Sequence, residues 1–283
     1  MHTRIIQTAL NSKLSATQFE SQSPAKGVVV IASALAVAQS YYVPIAQWLT
    51  AQGYHVLTFD YTGTFASVQP ESIKTVDIDL LGWASNDCAA MVDEAVALYP
   101  DLPLYWLGHS MGGVLAGLIP NVAKIDKIIT IASGSGYWRE NADVLKRRVW
   151  ALWYFIVPVV TPMFGFFPGR RLKLLHDLPF GVMMQWRRWS LHPEYTVGVE
   201  GDGVREQYAR FSGPLTGFSF SDDEYLSVAN VDSLHKRYTH AQKNMKRMVP
   251  EQAGLDFVGH FGFFKPAFQE SLWQNKLLSE LSI

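Results

Sequence analysis

Gly108-His109-Ser110-Met111-Gly112, with Gly113 behind it, stands between two apolar runs, Leu104-Tyr105-Trp106-Leu107 and Val114-Leu115-Ala116-Gly117-Leu118-Ile119. The first run follows the turn-forming Pro100-Asp101 and reads as a buried strand; the second reads as a buried helix. A serine on so tight a strand-to-helix turn is held with its hydroxyl exposed, and the turn needs small residues at 108 and 112 so that the backbones can approach. The new helix starts just behind Ser110. Its free amides, notably that of Met111, can therefore face an oxyanion. The pattern reads as a nucleophile elbow.

The surrounding chain alternates strands and helices. Residues 4–9 and 13–19 alternate as two edge strands, whereas Gly27-Val28-Val29-Val30-Ile31-Ala32 is the continuous apolar run of a strand covered on both faces. Residues 41–52 read as a helix, 54–59 as a strand, 77–98 as a long helix and 127–132 as a further strand. This order predicts an α/β fold: a mostly parallel central sheet with helices on both faces and the active groups on loops at the carboxyl ends of the strands. After Ser133 the alternation stops. It resumes at 215–220, so about eighty residues stand where a compact α/β domain would have a far shorter connection. The spacing predicts a core of residues 1–134 and 213–283 with a mainly helical cap at 135–212. A short strand at 245–249, the loop Gly259-His260-Phe261-Gly262-Phe263-Phe264 and a helix over 266–281 complete the expected order.

Composition narrows the function. A net charge of -1 and no basic stripe with interleaved aromatics argue against nucleic acid as a partner. The one cysteine, Cys88, excludes an internal disulfide framework and lies in a helix-like segment, where a buried structural thiol is expected. Residues 1–7 contain no apolar stretch long enough for a signal peptide, so the cytoplasm is the expected compartment.

A serine hydroxyl needs a base within hydrogen-bond reach, and the base needs an orienting partner. Of eight histidines, His260 stands shortly after the last strand, in a loop that glycines allow to bend towards the sheet top. His109 abuts the serine and reads as packing. The acid should follow the strand at 215–220, which offers Asp222 and Asp223. Vicinal carboxylates on extended chain point in opposite directions, so only one can face the histidine while the other can cap the next helix. Asp223 is the first choice and Asp222 the second; Glu140 and Asp143 are weaker substitutes. The order Ser110, Asp223, His260 is that expected for this architecture.

Through the elbow and Gly259-His260-Phe261-Gly262, the chain resembles the α/β-hydrolase superfamily over its length. More narrowly, it resembles a family of predicted bacterial α/β hydrolases of unassigned substrate through several segments. These are Gly136-Tyr137-Trp138, Phe164-Gly165-Phe166-Phe167-Pro168-Gly169, Asp177-Leu178-Pro179, Gln185-Trp186-Arg187-Arg188-Trp189 and Gly259 to Phe264. The resemblance implies serine hydrolase chemistry with no metal or organic cofactor. Many superfamily members carry His-Gly after the third strand, where this chain has Ser33-Ala34-Leu35-Ala36. The second oxyanion donor is a backbone amide, placed at Leu35 with Ala34 second. Asp60-Tyr61-Thr62-Gly63-Thr64-Phe65-Ala66-Ser67 only partly matches the superfamily's Asp-x-Arg-Gly-x-Gly-x-Ser loop, so different loop packing is expected.

Val149 to Gly169 carries no charge, is rich in aromatic residues, and is flanked by Lys146-Arg147-Arg148 and Arg170-Arg171. Length and flanks resemble a membrane span, but Pro158, Pro162 and Pro168 argue against a regular spanning helix. A cap folded over the active site is expected, with membrane contact the lesser alternative. Trp150, Trp153, Phe155, Trp186 and Trp189 are candidate pocket residues, and such a pocket favours a small to medium apolar acyl or aromatic substrate joined as a carboxylic ester or thioester. The expected activity is that of a serine esterase or thioesterase on a small molecule. The alternatives are an acyltransferase using the same groups and a non-catalytic ligand-binding or regulatory protein on the same scaffold.

Overall fold

The computed structural model describes residues 1–68 and 73–282. The strands are β1 (His2–Gln7), β2 (Lys13–Phe19), β3 (Gly27–Ala32), β4 (Tyr54–Phe59), β5 (Leu104–His109), β6 (Lys127–Ile131), a short pair β7 (Phe166–Phe167) and β8 (Leu178–Pro179), then β9 (Pro214–Phe220) and β10 (Gln242–Met248). Among the described residues one main sheet runs β1-β2-β4-β3-β5-β6-β9-β10. From β4 to β10 every pairing is parallel, and β2 is antiparallel to both β1 and β4. Thus β1 alone of the two N-terminal strands is an edge; β2 is an interior strand.

The unbroken apolar runs have the expected cause. Along β3, Val28, Val30 and Ala32 enter one hydrophobic cluster and Val29 and Ile31 enter the other. Along β5, Leu104 and Trp106 divide in the same way from Tyr105 and Leu107. The helix Val43–Ala51 and the C-terminal turns, through Trp48 and Trp273, cover one face; Trp83, Met91, Val114 and Leu115 cover the other. A strand sandwiched by helices cannot alternate polar and apolar residues.

Several boundaries differ from expectation. The helix expected from 77 starts at Leu80, where the Asp79 side chain accepts from the Gly82 amide as a cap; its turns loosen to π-helix over Trp83–Cys88 before Ala89–Leu98. Strand β10 begins three residues before the predicted start at 245. It is an edge strand of mainly exposed polar residues, whose extent is set by main-chain pairing with β9 rather than by an apolar pattern. The C-terminal segment is a π-helical stretch, Gln269–Leu277, between two 3-10 turns, with Leu272, Trp273 and Leu277 buried on the sheet. In the variant loop after β4, Asp60 accepts from the Gln39 amide and side chain, while Asp87 accepts from both the amide and hydroxyl of Thr62.

Between β6 and β9 the chain is mainly helical. Asp143–Ala151 continues through π-helical turns at Leu152–Ile156 into Val157–Phe164, and later helices are Phe180–Leu191, Tyr195–Glu200 and Asp202–Arg210. Because the helix runs on from the preceding turns, Pro158 and Pro162 both lie inside it, and each removes a main-chain donor. The prolines therefore loosen this helix without preventing it. No helix among the described residues is long and apolar enough to cross a membrane.

Candidate active site

The elbow is built by close backbone approach. A Cβ at Gly112 would collide with the Ala32 carbonyl of β3, and one at Gly108 would strike the Gly112 and Gly113 backbone. Ser110 itself takes φ 50 and ψ -110, a strained conformation for a residue with a side chain. Its amide donates to the Ile131 carbonyl of β6 at 2.9 Å, and its carbonyl accepts from Gly113 and Val114 as the helix Met111–Ala116 begins. Trp106 Nε1 donates to the Gly112 carbonyl at 3.0 Å, securing the turn from below.

The strand ends bring the expected partners to this turn. His260 Nε2 lies 3.0 Å from Ser110 Oγ, and His260 Nδ1 lies 2.9 Å from Asp223 Oδ2. His260 and Asp223 are both buried. In such a line a hydroxyl proton can pass to Nε2 while the carboxylate holds the proton on Nδ1.

The neighbouring acids take separate tasks. Asp223 Oδ1 accepts from the amides of Tyr225 and Leu226 at 2.8 and 2.9 Å, so the residue beside the histidine is also the one that ties down the following turn. Asp222 points to the other loop, where Oδ2 accepts from Val258 and Gly259 at 2.6 and 3.1 Å. The expected division, one aspartate for the histidine and the other for the next helix, therefore does not occur: a carboxylate has enough lone pairs for both tasks. Glu224 adds a third contact, accepting from the His260 amide at 3.0 Å. Glu140 instead approaches Ser135, and Asp143 opens a helix.

Two amides beside the serine have no acceptor among the described residues. The Ala34 amide donates to the Tyr42 hydroxyl at 2.9 Å, whereas those of Leu35 and Met111 donate to no described residue. Both residues, with Ser110 and His260, line one cavity of about 270 Å³. Its walls are largely apolar, including Val114, Leu145, Val149, Trp153 and Trp186. Of the five aromatic pocket candidates, only Trp153 and Trp186 line it, and their rings meet edge-to-face at 4.7 Å. Trp150 and Phe155 are 45% and 61% exposed and pack on each other instead. Trp189 is buried away from the cavity, donating Nε1 to Glu200 at 2.6 Å.

His109 is packing, as expected, but it is also polar wiring. Fully buried, it lies 2.8 Å from the Tyr42 hydroxyl through Nδ1 and 3.0 Å from the His260 carbonyl through Nε2. Burial first, and then the proximity of the His260 imidazole, hold its pKa well below the usual imidazole range. Tyr42, Asp222 and Glu224 were not assigned these contacts from sequence. The fold brings their partners to them, Ala34 and His109 to Tyr42 and residues 258–260 to the two acids, and no local pattern signals them.

Residues 23–162 match the family model described as serine aminopeptidase, S33, a span that includes Ser110 and ends before Asp223 and His260. The fold is similar to a soluble variant of monoglyceride lipase from Saccharomyces cerevisiae, in complex with a substrate analog, with a TM-score of 0.64. That pair is 14% identical over 88% of this chain and 86% of that one. An esterase from Exiguobacterium antarcticum gives 0.61 at 16% identity over 99% of both chains. A thioesterase domain from the curacin biosynthetic pathway gives 0.52 at 16% identity, over 88% of this chain and 93% of that one. Compared with curated proteins, the chain matches none. The sheet order, the helices on both faces and these matches define an α/β-hydrolase fold. Over residues 23–162 in sequence and over most of its length in fold, the chain is similar to members of the α/β-hydrolase superfamily.

Proposed function

We propose that this protein is a serine hydrolase that cleaves a carboxylic ester or thioester of a small to medium apolar acyl or aromatic substrate, through an acyl-enzyme. The observation that carries the reading is the unbroken line from Ser110 Oγ through His260 to Asp223. Ser110 Oγ attacks the acyl carbonyl as its proton passes to His260 Nε2, and the amides of Met111 and Leu35 receive the oxyanion. His260 returns the proton to the departing alcohol or thiol. Water then repeats the sequence on the acyl-Ser110 ester, releasing the acid. Asp223 keeps the imidazole in the tautomer that accepts at Nε2.

The apolar cavity supports an acyl or aromatic group over a sugar or peptide, and the similarity in fold to an esterase, a lipase and a thioesterase domain is consistent with that choice. Residues 135–212 act as the cap, contributing Leu145, Val149, Trp153 and Trp186 to the cavity.

Turnover of p-nitrophenyl acyl esters of rising chain length tests the reading. The expected result is hydrolysis with a short-to-medium optimum and a loss of about a thousandfold in kcat for His260→Ala. Folded protein that turns over no ester would contradict it, and transfer to an added alcohol in preference to water would make it an acyltransferase.

A further inference from the structure

The long cap helix over residues 143–164 carries one stripe that is covered and one that is not. Val149, Trp153, Val157 and Thr161 recur every four residues and are buried, Val149 and Trp153 reaching the cavity. Trp150, Phe155, Val159 and Met163 follow at steps of five, four and four residues, and all are exposed, Met163 at 75%. The step of five crosses the π-helical turns Leu152–Ile156, where a turn takes more residues, and the Trp150 and Phe155 rings meet at 5.9 Å, so the four side chains share one face. An outward helix face is ordinarily polar. A long apolar stripe in its place marks a surface that a partner covers.

The charges at both ends of the stripe point to the kind of partner. Residues 144–176 hold six lysines and arginines and no acid, although the whole chain has more acidic than basic residues. Lys146, Arg147 and Arg148 lie in the helix just before Trp150, and Arg171 reaches its other end, its guanidinium 5.2 Å over the Phe164 ring. Arg170 pairs with Asp177, whereas Lys146, Arg147, Arg148, Arg171 and Lys173 form no ion pair among the described residues. We propose that this face docks on an anionic lipid bilayer, the helix lying in the headgroup plane with the apolar stripe at the acyl boundary and its basic ends on lipid phosphates. Trp150 and the half-exposed Tyr154 supply the aromatic rings that favour such a boundary. A second copy of the chain does not fit. In a two-fold pairing of this face, with the helices parallel or antiparallel, a basic end of one copy meets a basic end of the other. Cavity wall and lipid contact are compatible because they use different faces of one helix.

The test is flotation with vesicles of phosphatidylcholine alone and of phosphatidylcholine and phosphatidylglycerol in equal parts, at physiological and at raised salt. Wild type should bind the anionic vesicles about tenfold or more tightly than the neutral ones, with the difference shrinking as salt rises. The double variants Phe155→Ser, Met163→Ser and Arg147→Gln, Arg148→Gln should each weaken anionic binding about tenfold or more. Their melting temperatures should stay close to wild type, because all four side chains are exposed. Acyl chains brominated near the headgroup give an independent reading: they should quench wild-type tryptophan fluorescence, and quench it less in Trp150→Phe, which keeps the stripe apolar. No preference for anionic vesicles, binding that survives both double variants, or quenching that does not depend on Trp150 would overturn the assignment. Self-association that Phe155→Ser, Met163→Ser abolishes, without vesicle binding, would give the face to a second copy and overturn it as well.

Discussion

The hydroxyl of Tyr42 lies 2.8 Å from Nδ1 of His109, and the ends of the chain they form set the direction of that bond. At one end the Ala34 amide can only donate, so the Tyr42 oxygen accepts from it. At the other end the His260 carbonyl can only accept, so His109 carries its proton on Nε2 and leaves a lone pair on Nδ1. Tyr42 therefore donates to His109. The chain joins the loop that carries Leu35 to the backbone of His260 through a neutral imidazole, whose protonation burial opposes.

Tyr42→Phe cuts this chain and leaves the Ala34 amide and His109 Nδ1 unpaired in the core. The expected cost is about 1 to 3 kcal/mol of stability. Because the loop that carries Leu35 loses its anchor at Ala34, and His109 loses the bond that orients its ring beneath His260, kcat on an ester should fall about tenfold with KM changed less. Thermal unfolding and steady-state kinetics read both; a variant with unaltered kcat would show that the chain is packing only.

Asp223→Asn should preserve the fold and lower kcat by up to about ten-thousandfold, because the carboxamide can favour the wrong imidazole tautomer. Asp222→Asn weakens acceptance from the Val258 and Gly259 amides and should cost about 1 to 2 kcal/mol with kcat reduced no more than about tenfold. Kinetics on both single variants decide the matter, and a dead Asp222→Asn beside an active Asp223→Asn would reverse the assignment.

Much of this arrangement was legible in the sequence because it depends on local rules. The two-sided apolar runs of β3 and β5 follow from strands covered on both faces, and the small residues around Ser110 follow from the approach of Ala32. The cavity lining was less legible. Val149 to Phe164 is apolar all round, so composition gives no helical phase, and the π-helical turns at Leu152–Ile156 shift the phase further. Hence Trp153 turns inward while Trp150 and Phe155 remain outside. Tyr42 escaped notice for another reason: its importance comes from what it meets in three dimensions.

Asp87 makes stability depend on pH in an identifiable direction. Burial raises its pKa to about 7, against hydrogen bonds from Thr62 that lower it. Between about pH 4 and pH 7 the folded state retains a proton that the unfolded state has released, so this residue's contribution falls as pH rises, by at most about 1.4 kcal/mol per unit, and levels off above pH 7. His235, held down to about 4 by burial, has the opposite slope over part of that range. The difference between wild type and Asp87→Asn isolates the aspartate: denaturant unfolding across this window should show wild type losing stability relative to the variant as pH rises. A difference independent of pH would contradict it.

Trp186→Leu shortens one of the two indoles that bound the cavity. The optimum acyl length of the ester series should move to longer chains, with a stability loss of about 1 to 3 kcal/mol. An unchanged optimum would place the acyl group elsewhere.

Labelling with a fluorophosphonate, read by intact mass and peptide mapping, tests whether Ser110 is an activated nucleophile without knowledge of the substrate. Wild type should take up one equivalent on Ser110, Ser110→Ala none, and His260→Ala should react far more slowly. Folded wild type that remains unlabelled, or that carries the label stoichiometrically on another residue, would show that Ser110 is not the nucleophile.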